Sequence, residues 1–406
     1  MAGRYRFVVL AAGTLAQASF SAVAVGLPAL APALRADYRL SIGQTGIVLG
    51  AVGIGMLPTL LPWGLLADRT GERAVIVGGL AAAALLLAAT AETVSFGTLT
   101  LTLALAGVFG ASVNAASGRA VMGWFAPDER GLALGIRQTA VPIGGAISAA
   151  ALPWLASAGG TRLAFLALAG GCLGGAGVGG VLLRDTPGPA PSTSGGGAAS
   201  VTRDPTLWLL GGGSALFLTA QIAILGYCVL FLHDHRGLSA HAAAAVLAGI
   251  NVLGIGARIA VGRWSDRIRE RIGPIRTIGL LLGAGTAVVA ALVDAPLGML
   301  VPALVVAGVL GLAWNGLSFT AAAETAGHAR SGAALGLQQT LLGVLGAAAP
   351  PGLAVVVAMS SWRAAFAVAA LGPLLGVTAL RAVPEPVTTR RSARRRGTSV
   401  IPPPAR

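Results

Sequence analysis

The sequence contains no lysine, only two cysteines and few charged residues of any kind. Charged residues make up 10% of the 406 positions, whereas an ordinary soluble protein has roughly 25%. Cys172 and Cys228 both lie inside apolar runs, which excludes the disulfide framework of a small secreted domain. A phosphate-binding P-loop contains a lysine that contacts the phosphates, so the lack of lysine disfavours that kind of nucleotide site.

Aromatic residues are also scarce, at 5%, and this bears on the net charge of +14. A basic chain can bind nucleic acid, but the arginines here lie between long apolar segments and never cluster with aromatic residues. Hydrophobic residues make up 55% of the chain. The composition therefore predicts an integral membrane protein that contacts the lipid bilayer and binds no nucleic acid.

Long apolar runs divide the chain into candidate membrane spans. A helix needs about 20 apolar residues to cross a hydrocarbon core of about 30 Å, and backbone groups in lipid must be bonded within the helix. We therefore predict an all-α membrane protein with twelve transmembrane helices. Their approximate limits are 7–34, 43–66, 74–91, 97–125, 131–157, 162–183, 206–232, 241–264, 275–293, 297–322, 332–358 and 363–381.

The 28 basic residues, all arginine, predict how these spans are oriented. With a cytoplasmic N-terminus, five arginines lie outside and three lie inside helices, which leaves the other twenty on the cytoplasmic side. This excess follows the positive-inside rule, so we expect both termini in the cytoplasm. The first apolar run exceeds the core of a cleaved signal peptide, about 7–15 residues, and we expect it to remain as a helix. The arginines placed outside are Arg35, Arg39, Arg162, Arg236 and Arg363.

The two halves of the chain repeat each other. The stretch 185–204 is rich in Pro, Gly and Ser, as flexible linkers are, and separates six spans from six. Asn114 matches Asn315 and Gln138 matches Gln339 at one constant offset, which indicates two pseudo-symmetric six-helix bundles. The predicted divisions are an N-terminal bundle at 1–184, a flexible cytoplasmic linker at 185–204, a C-terminal bundle at 205–381 and a basic, disordered cytoplasmic tail at 382–406.

A motif at the end of the second span recurs after the eighth. It is GLLADRTGER from Gly64 to Arg73, and GRWSDRIRER from Gly262 to Arg271. With the twelve spans and the linker, this resembles the major facilitator superfamily, whose signature is G-x-x-x-D-R/K-x-G-R-R/K. Glu72 replaces the first of the usual basic pair. The resemblance covers residues 1 to about 381 and implies a two-bundle transporter that alternates between inward-open and outward-open states.

This motif also has a physical interpretation as a latch. A carboxylate at a helix end is stabilised by a nearby arginine or helix N-terminus, and a glycine permits close helix approach. Such a contact would hold one state and release in the other. The alternative is ordinary positive charge in a short inner loop. The predicted gating residues are Gly64, Asp68, Arg69, Arg73, Asp266 and Arg267.

Three arginines, Arg119, Arg137 and Arg258, lie within predicted spans. An ionisable residue inside a membrane helix is costly and is therefore a functional candidate. The resemblance implies that the fifth and eighth spans face each other, so that Arg137 and Arg258 would form a basic floor to a central cavity and attract an anion. The alternatives are snorkelling of the long side chains to the interface and pairing with Asp128 or Glu129.

Neutral polar residues stand at matched positions in the two halves. Asn114 and Asn315 lie mid-span, where a polar side chain either binds substrate or bonds a neighbouring helix. Gln338 stands at the repeat position of Arg137, so one half has an amide where the other has a charge, as an asymmetric substrate requires. The predicted substrate-binding residues are Arg119, Arg137, Arg258, Asn114, Asn315, Gln138 and Gln339.

No acidic residue lies mid-span, since all 14 fall at helix ends, in loops or in tails. A proton-driven exporter of cations usually uses a buried carboxylate. If protons are coupled to transport here, the candidates are His233, Asp234 and His235 at the outer end of the seventh span. The alternative for these three residues is an exposed polar loop.

The segment from Trp124 to Gly145 is similar to segments of the cyanate and nitrate-type branch of the superfamily. It also partly resembles the G-P-x-x-G-G signature of proton-linked exporters, but Val141 replaces the glycine before Pro142 and the spacing to the next glycines is shorter. We expect Pro142 to bend the fifth span and the carbonyl that it frees to be bonded by a neighbour.

The sequence therefore predicts a secondary transporter of a small organic or inorganic anion, not an enzyme, and without a cofactor or metal. The runner-up is a proton-coupled exporter of drugs or metabolites, and a non-transporting receptor on the same fold is the third class. The expected partners are a small-molecule substrate, a proton if transport is coupled, and the bilayer. We expect a monomer in a bacterial plasma (inner) membrane, because the Arg-only, Ala- and Gly-rich composition is typical of a GC-rich bacterial genome.

Overall fold

The computed structural model describes residues 2–125, 130–185, 200–327 and 330–386, and these residues contain helices and no β-strand. The first half comprises α1 Ala2–Ala24, α2 Leu27–Tyr38, α3 Ile42–Met56, α4 Leu60–Thr70, α5 Glu72–Thr90, α6 Phe96–Trp124, α7 Arg130–Gln138 and α8 Ala140–Leu182. The second half comprises α9 Pro205–Ala215, α10 Phe217–Leu230, α11 Ala240–Ile268, α12 Ile272–Ala291, α13 Leu297–Ala313, α14 Asn315–Ala326, α15 Ser331–Met359 and α16 Trp362–Leu380.

Eleven helical stretches of the described residues are long and apolar enough to cross a membrane. One of them, Gly135–Leu182, has 48 residues and contains two spans. In α8 the backbone leaves the helical conformation at Gly159 and Gly160. On either side of this break, the Ser148 hydroxyl donates to the Ala22 carbonyl at 2.8 Å, and the Cys172 thiol lies 3.9 Å from the Ser19 carbonyl. Since both parts of α8 contact the same turn of α1, the chain reverses at the glycines, and the twelve predicted spans are confirmed.

The interior is built from small residues on helix faces that pack closely. A Cβ at Gly107 would lie 2.1 Å from the Val52 carbonyl oxygen, so only glycine permits the observed approach of α6 to α3.

Residues 186–199 and 387–406, which carry most of the predicted linker and tail, lie outside the described residues. The domain limits therefore stay a prediction.

We name one end of the spans the inner face, after the orientation that the arginine distribution predicts, and define it by residues 71, 125, 183–185, 269–271, 327 and 381–386. At this face one carboxylate caps a helix in each half. Asp185 follows the sixth span and accepts from the Arg73 N–H at 2.9 Å, at the start of α5. Glu385 follows the twelfth span and accepts from the Arg271 N–H at 2.7 Å, at the start of α12. A carboxylate at a helix N-terminus bonds otherwise unpaired N–H groups and interacts favourably with the helix dipole. These contacts tie the last span of each half to its third span.

The opposite ends of the spans form the outer face, which we define by residues 39–41, 91–95, 159–160, 236–239, 292–296 and 360–361. Here the two halves are packed together along what we call the outer seam. The Tyr227 hydroxyl of α10 donates to the Pro350 carbonyl of α15 and lies against Gly46 of α3. Deeper between the halves, near the middle of the spans, a Cβ at Gly145 of α8 would lie 2.6 Å from Asn251 Oδ1 of α11. The outer seam is therefore closed in this structure.

An ion pair also crosses the outer seam, between the guanidinium of Arg35 in the first half and the carboxylate of Asp234 in the second. Asp234 lies in the π-helical turn Phe231–His235 that ends the seventh span.

The next residue, His235, lies 3.3 Å from Asp294, whose other oxygen accepts from Arg363 at 2.9 Å. Hydrogen bonds from Arg363 and then from His235 lower the pKa of Asp294 below its ordinary value. The ion pair between Asp294 and Arg363 is therefore present at neutral pH, and it is lost only as the pH falls through that lowered pKa.

We predict that Asp234→Asn will favour opening of the outer seam by several-fold, because it leaves Arg35 without its charged partner. The pair is about a quarter exposed, so the effect should stay near the 1 kcal/mol expected of partly exposed ion pairs. Distances between spin labels on the outer face measure it. The double variant Arg35→Asp, Asp234→Arg should restore closure, and failure of this charge swap would show that the pair does not hold the seam.

Candidate substrate site

Arg137 lies at the centre of a polar network in the first half. Its Nη1 donates to Ser117 Oγ at 3.1 Å and to Gln17 Oε1 at 3.3 Å, and its Nη2 donates to Gln138 Oε1 at 3.2 Å. Gln17 is held in turn by Asn114, whose Oδ1 accepts from Gln17 Nε2 at 2.5 Å. The network joins the first, fourth and fifth spans, so three helices fix the position of this guanidinium.

The second half contains a corresponding network without the charge. Gln338, 1% exposed, donates from Nε2 to Ser318 Oγ at 2.6 Å, just as Arg137 donates to Ser117. Asn315 donates to Gln221 Oε1 at 3.2 Å. The repeat thus preserves the helices and the hydroxyl acceptor but replaces the guanidinium by an amide. The second half thus holds the same helices together with an amide, so the positive charge of Arg137 is not needed for this packing.

Arg258 joins the two halves through the backbone. Its Nη1 donates to the Gln138 carbonyl at 2.8 Å and its Nε to the Leu312 carbonyl at 3.0 Å. The Gln138 carbonyl has no helical partner four residues on, because Pro142 lacks an N–H, and Leu312 precedes the break between α13 and α14. The carbonyl freed by Pro142 is thus bonded by a neighbour, as the sequence predicts.

Gln138 is the residue that both arginines contact, Arg137 through the side-chain oxygen and Arg258 through the main-chain oxygen. Among the described side chains, no Asp or Glu lies within 4.0 Å of either guanidinium. Arg137 Nε is moreover a buried donor without a hydrogen-bond partner among the described residues. An unpaired buried donor of a charged group is costly, so the site favours an incoming acceptor, above all an anionic one.

Two of the predicted site residues cannot be placed by their side chains. Arg119 lies in α6 and Asp68 in α4, but their side chains are outside what the structure describes. Gln339 lies next to Gln338 in α15 and is half-buried, with no hydrogen bond shown to the network. The assignment of these three residues to substrate binding or gating stays a prediction, as it does for every other predicted site residue.

Ion pairs lie at the second copy of the motif, and the gating role of the motif residues stays a prediction. Arg271 donates to Asp266 Oδ1 at 2.6 Å and, through Nη2, to Glu324 Oε1 at 3.0 Å, which joins the inner ends of the eighth, ninth and tenth spans. Arg267 is exposed nearby. In the first half, Arg69 and Arg73 are exposed, and a Cβ at Gly64 would meet nothing within 4 Å. Close helix approach at Gly64 is therefore not observed in this conformation.

Sequence reasoning missed Ser117 and Ser318, the hydroxyls that bond Arg137 and Gln338. The signal was present, since they are separated by the same offset as Asn114 and Asn315. Gln17 and Gln221 are weaker cavity candidates from the sequence, and the structure places each beside the matched asparagine of its half, Gln17 on Asn114 and Gln221 on Asn315.

Comparisons with known proteins place these observations in a family. The model of the Major Facilitator Superfamily matches residues 9–351. An uncharacterized MFS-type transporter of Mycobacterium tuberculosis is 32% identical over 368 residues, which are 90% of this chain and 83% of that protein. The hexuronate transporter of Bacillus subtilis is 26% identical over 136 residues, 34% of this chain and 32% of that one. A bacterial homologue of the human lysosomal transporter Spinster, inward-facing and unoccupied, superposes with a TM-score of 0.72 at 18% identity, over 93% of this chain and 95% of that one.

Proposed function

Because the chain belongs to the major facilitator superfamily, we propose that it is a secondary transporter that carries a small anion by alternating access. The family and the relatives are transporters, so the chain is a multi-pass membrane transporter and not an enzyme. The observation that carries the anion assignment is the pair Arg137 and Arg258, two guanidinium groups at one level of the seam with neutral partners only among the described residues.

Charge balance supports this assignment. A cation within a membrane protein is stabilised by an acid or by a bound anion, and here the amide, hydroxyl and carbonyl acceptors supply only partial negative charge. An anion with two oxygens matches the fork of a guanidinium, which makes arginine better suited than lysine to bind it. The Arg137 edge with the unpartnered Nε is the position at which such an anion gains most.

The two halves differ in a way that suits an asymmetric anion. The negative end would bind at Arg137, and a neutral polar end would bind at the amides of Asn315 and Gln338 in the other half. A hexuronate, the substrate in the name of one relative, has a carboxylate at one end and hydroxyl groups elsewhere. The local similarity of residues 124–145 to the cyanate and nitrate-type branch also favours an anion. We therefore include both organic and inorganic anions in the proposal.

Thermal-shift screening of the purified protein tests the substrate class. The panel is glucuronate, nitrate and cyanate against lipophilic cations at fixed pH. A ligand at 100 times its dissociation constant adds about 2.7 kcal/mol of stability, so binding is readily measured. Stabilisation by an anion that is lost in Arg137→Gln would support the proposal. Stabilisation by the cations alone would overturn it in favour of the proton-coupled exporter.

The orientation follows from the charge distribution. We propose that both termini lie in the cytoplasm of a bacterial plasma membrane, because the arginine excess lies on the inner face. With this orientation, the closed outer seam separates the site from the outside of the cell, and one solved structure of similar fold is described as inward-facing. We propose a monomer as the working unit, since each half of the site comes from the same chain.

A further inference from the structure

Gln138 has two different bonds to the two arginines, and it lies at a break in its own helix. The helix α7 ends at Gln138 and α8 begins at Ala140, and Pro142 leaves the Gln138 carbonyl without a helical donor. The side-chain oxygen accepts from Arg137 in the same half, and the carbonyl accepts from Arg258 in the other half. A residue in this position links the proposed anion site to a bond that holds the halves together.

An anion at Arg137 competes directly with the Gln138 side chain. Nη1 of Arg137 is engaged by Gln17 and Ser117, whereas Nη2 bonds only Gln138 and Nε has no partner among the described residues. The edge formed by Nε and Nη2 is thus the one that a two-oxygen anion can take as a fork. Since a charged acceptor binds a guanidinium more strongly than a neutral amide, the anion displaces the amide oxygen of Gln138.

We propose that Gln138 couples anion binding to release of the outer-closed state. When its side chain leaves Arg137, the break between α7 and α8 loses the contact that fixes it, and the carbonyl withdraws from Arg258. The hydrogen bond between the fifth and eighth spans is then lost, and Arg258 becomes free to bond the anion. This role rests on the proposed function, because it requires an anion at Arg137.

The repeat supplies a matched control. Thr340 lies in the corresponding helix turn of the second half, is exposed, and donates from its hydroxyl to the Gly336 carbonyl at 3.0 Å. A general effect of substitution in this helix turn would appear in Thr340→Ala as well. An effect of coupling would appear only at Gln138.

The experiment compares wild type, Gln138→Ala, Gln138→Glu and Thr340→Ala. Both native cysteines are replaced by alanine, and spin labels are attached at Val94→Cys and Met359→Cys. Val94 and Met359 lie at the outer face in opposite halves and are 92% and 82% exposed. The label distance is measured with and without glucuronate and with and without nitrate, and the affinity for each is measured in parallel.

In wild type and Thr340→Ala we expect the anion to lengthen the label distance. In Gln138→Ala the contact with Arg137 is absent from the start, so the distance without anion should already match that of the loaded wild type and should not lengthen further when the anion is added. In Gln138→Glu the built-in carboxylate stays paired with Arg137, so anion affinity should fall at least 30-fold and the distance should keep the value of the anion-free wild type with and without anion.

A normal anion response in Gln138→Ala, or unchanged affinity in Gln138→Glu, would overturn the coupling role while leaving the anion site standing. Absence of glucuronate and nitrate binding in wild type would overturn the proposed function and the coupling role together. The two failures are distinguishable, because the first occurs with a protein that binds its anion.

Discussion

Arg137→Gln should abolish measurable uptake of the anion and weaken its binding by roughly 30- to 700-fold. Removing the charged partner of a buried pair costs about 2–4 kcal/mol, and each 1.4 kcal/mol is a factor of ten. Glutamine is the replacement of choice because Gln338 shows that an amide fits the equivalent position and bonds the equivalent serine. The variant should therefore insert and fold, and uptake into proteoliposomes together with the melting temperature checks both points.

Arg162→Gln is the control for a general loss of positive charge. Arg162 is exposed at the outer face and pairs with Glu92 at 2.8 Å, an ion pair with both side chains more than half exposed. Such a pair contributes little, so uptake in this variant should stay close to wild type. Retained uptake in Arg137→Gln would exclude this arginine as the anion ligand and would leave it a structural role in the network of Gln17 and Ser117.

Gly46→Ala should shift the protein strongly toward an open outer seam. A Cβ at Gly46 would lie 2.4 Å from the Ala354 Cβ and 3.0 Å from the Pro350 carbonyl oxygen, both in the opposite half. Overpacking of this kind costs about 1–3 kcal/mol, and here the cost applies only to the closed state. The ratio of open to closed molecules should rise about 5- to 150-fold. This rise is measured as a larger population at the longer distance between spin labels at positions 94 and 359.

Gly43→Ala in the same helix tests whether added helix propensity alone has this effect. A Cβ at Gly43 would contact only the Ser41 hydroxyl, at 3.8 Å, so no clash with the other half arises. Transport should fall in Gly46→Ala and persist in Gly43→Ala. Equal distance distributions in the two variants would contradict the view that contact at Gly46 sets the closure of the outer seam.

The number of spans and the repeat could be predicted from the sequence, because an apolar helix of bilayer length leaves a continuous signal. Even the reversal inside α8 was predicted, since Gly159 and Gly160 separate two runs that are each long enough to cross. The bonding of the carbonyl freed by Pro142 by a neighbour could also be predicted, and the structure shows it. What the pattern could not supply was the identity of the pair, because Gln138 and Arg258 are 120 residues apart.

The two capping acids show where sequence reasoning ended. Asp185 and Glu385 stand in Pro-containing segments that the composition assigns to a linker and a tail, yet each accepts from backbone N–H groups at a helix start. A cap of this kind depends on three-dimensional proximity rather than on local spacing. Helix proximity at Gly64 could not be derived from local spacing either. The motif predicted a close helix contact there, but a Cβ at Gly64 would meet nothing within 4 Å.

These caps also impose an order on biosynthesis. The N-terminus of α12 receives its carboxylate from a residue 113 positions later, and the N-terminus of α5 receives its own from 112 positions later. At a synthesis rate of about 5–20 residues per second, each helix waits roughly 6–23 s on the ribosome before its cap exists. Each half therefore completes its inner face only after its sixth span has been made, and the first half meets this condition while the second is still being synthesised.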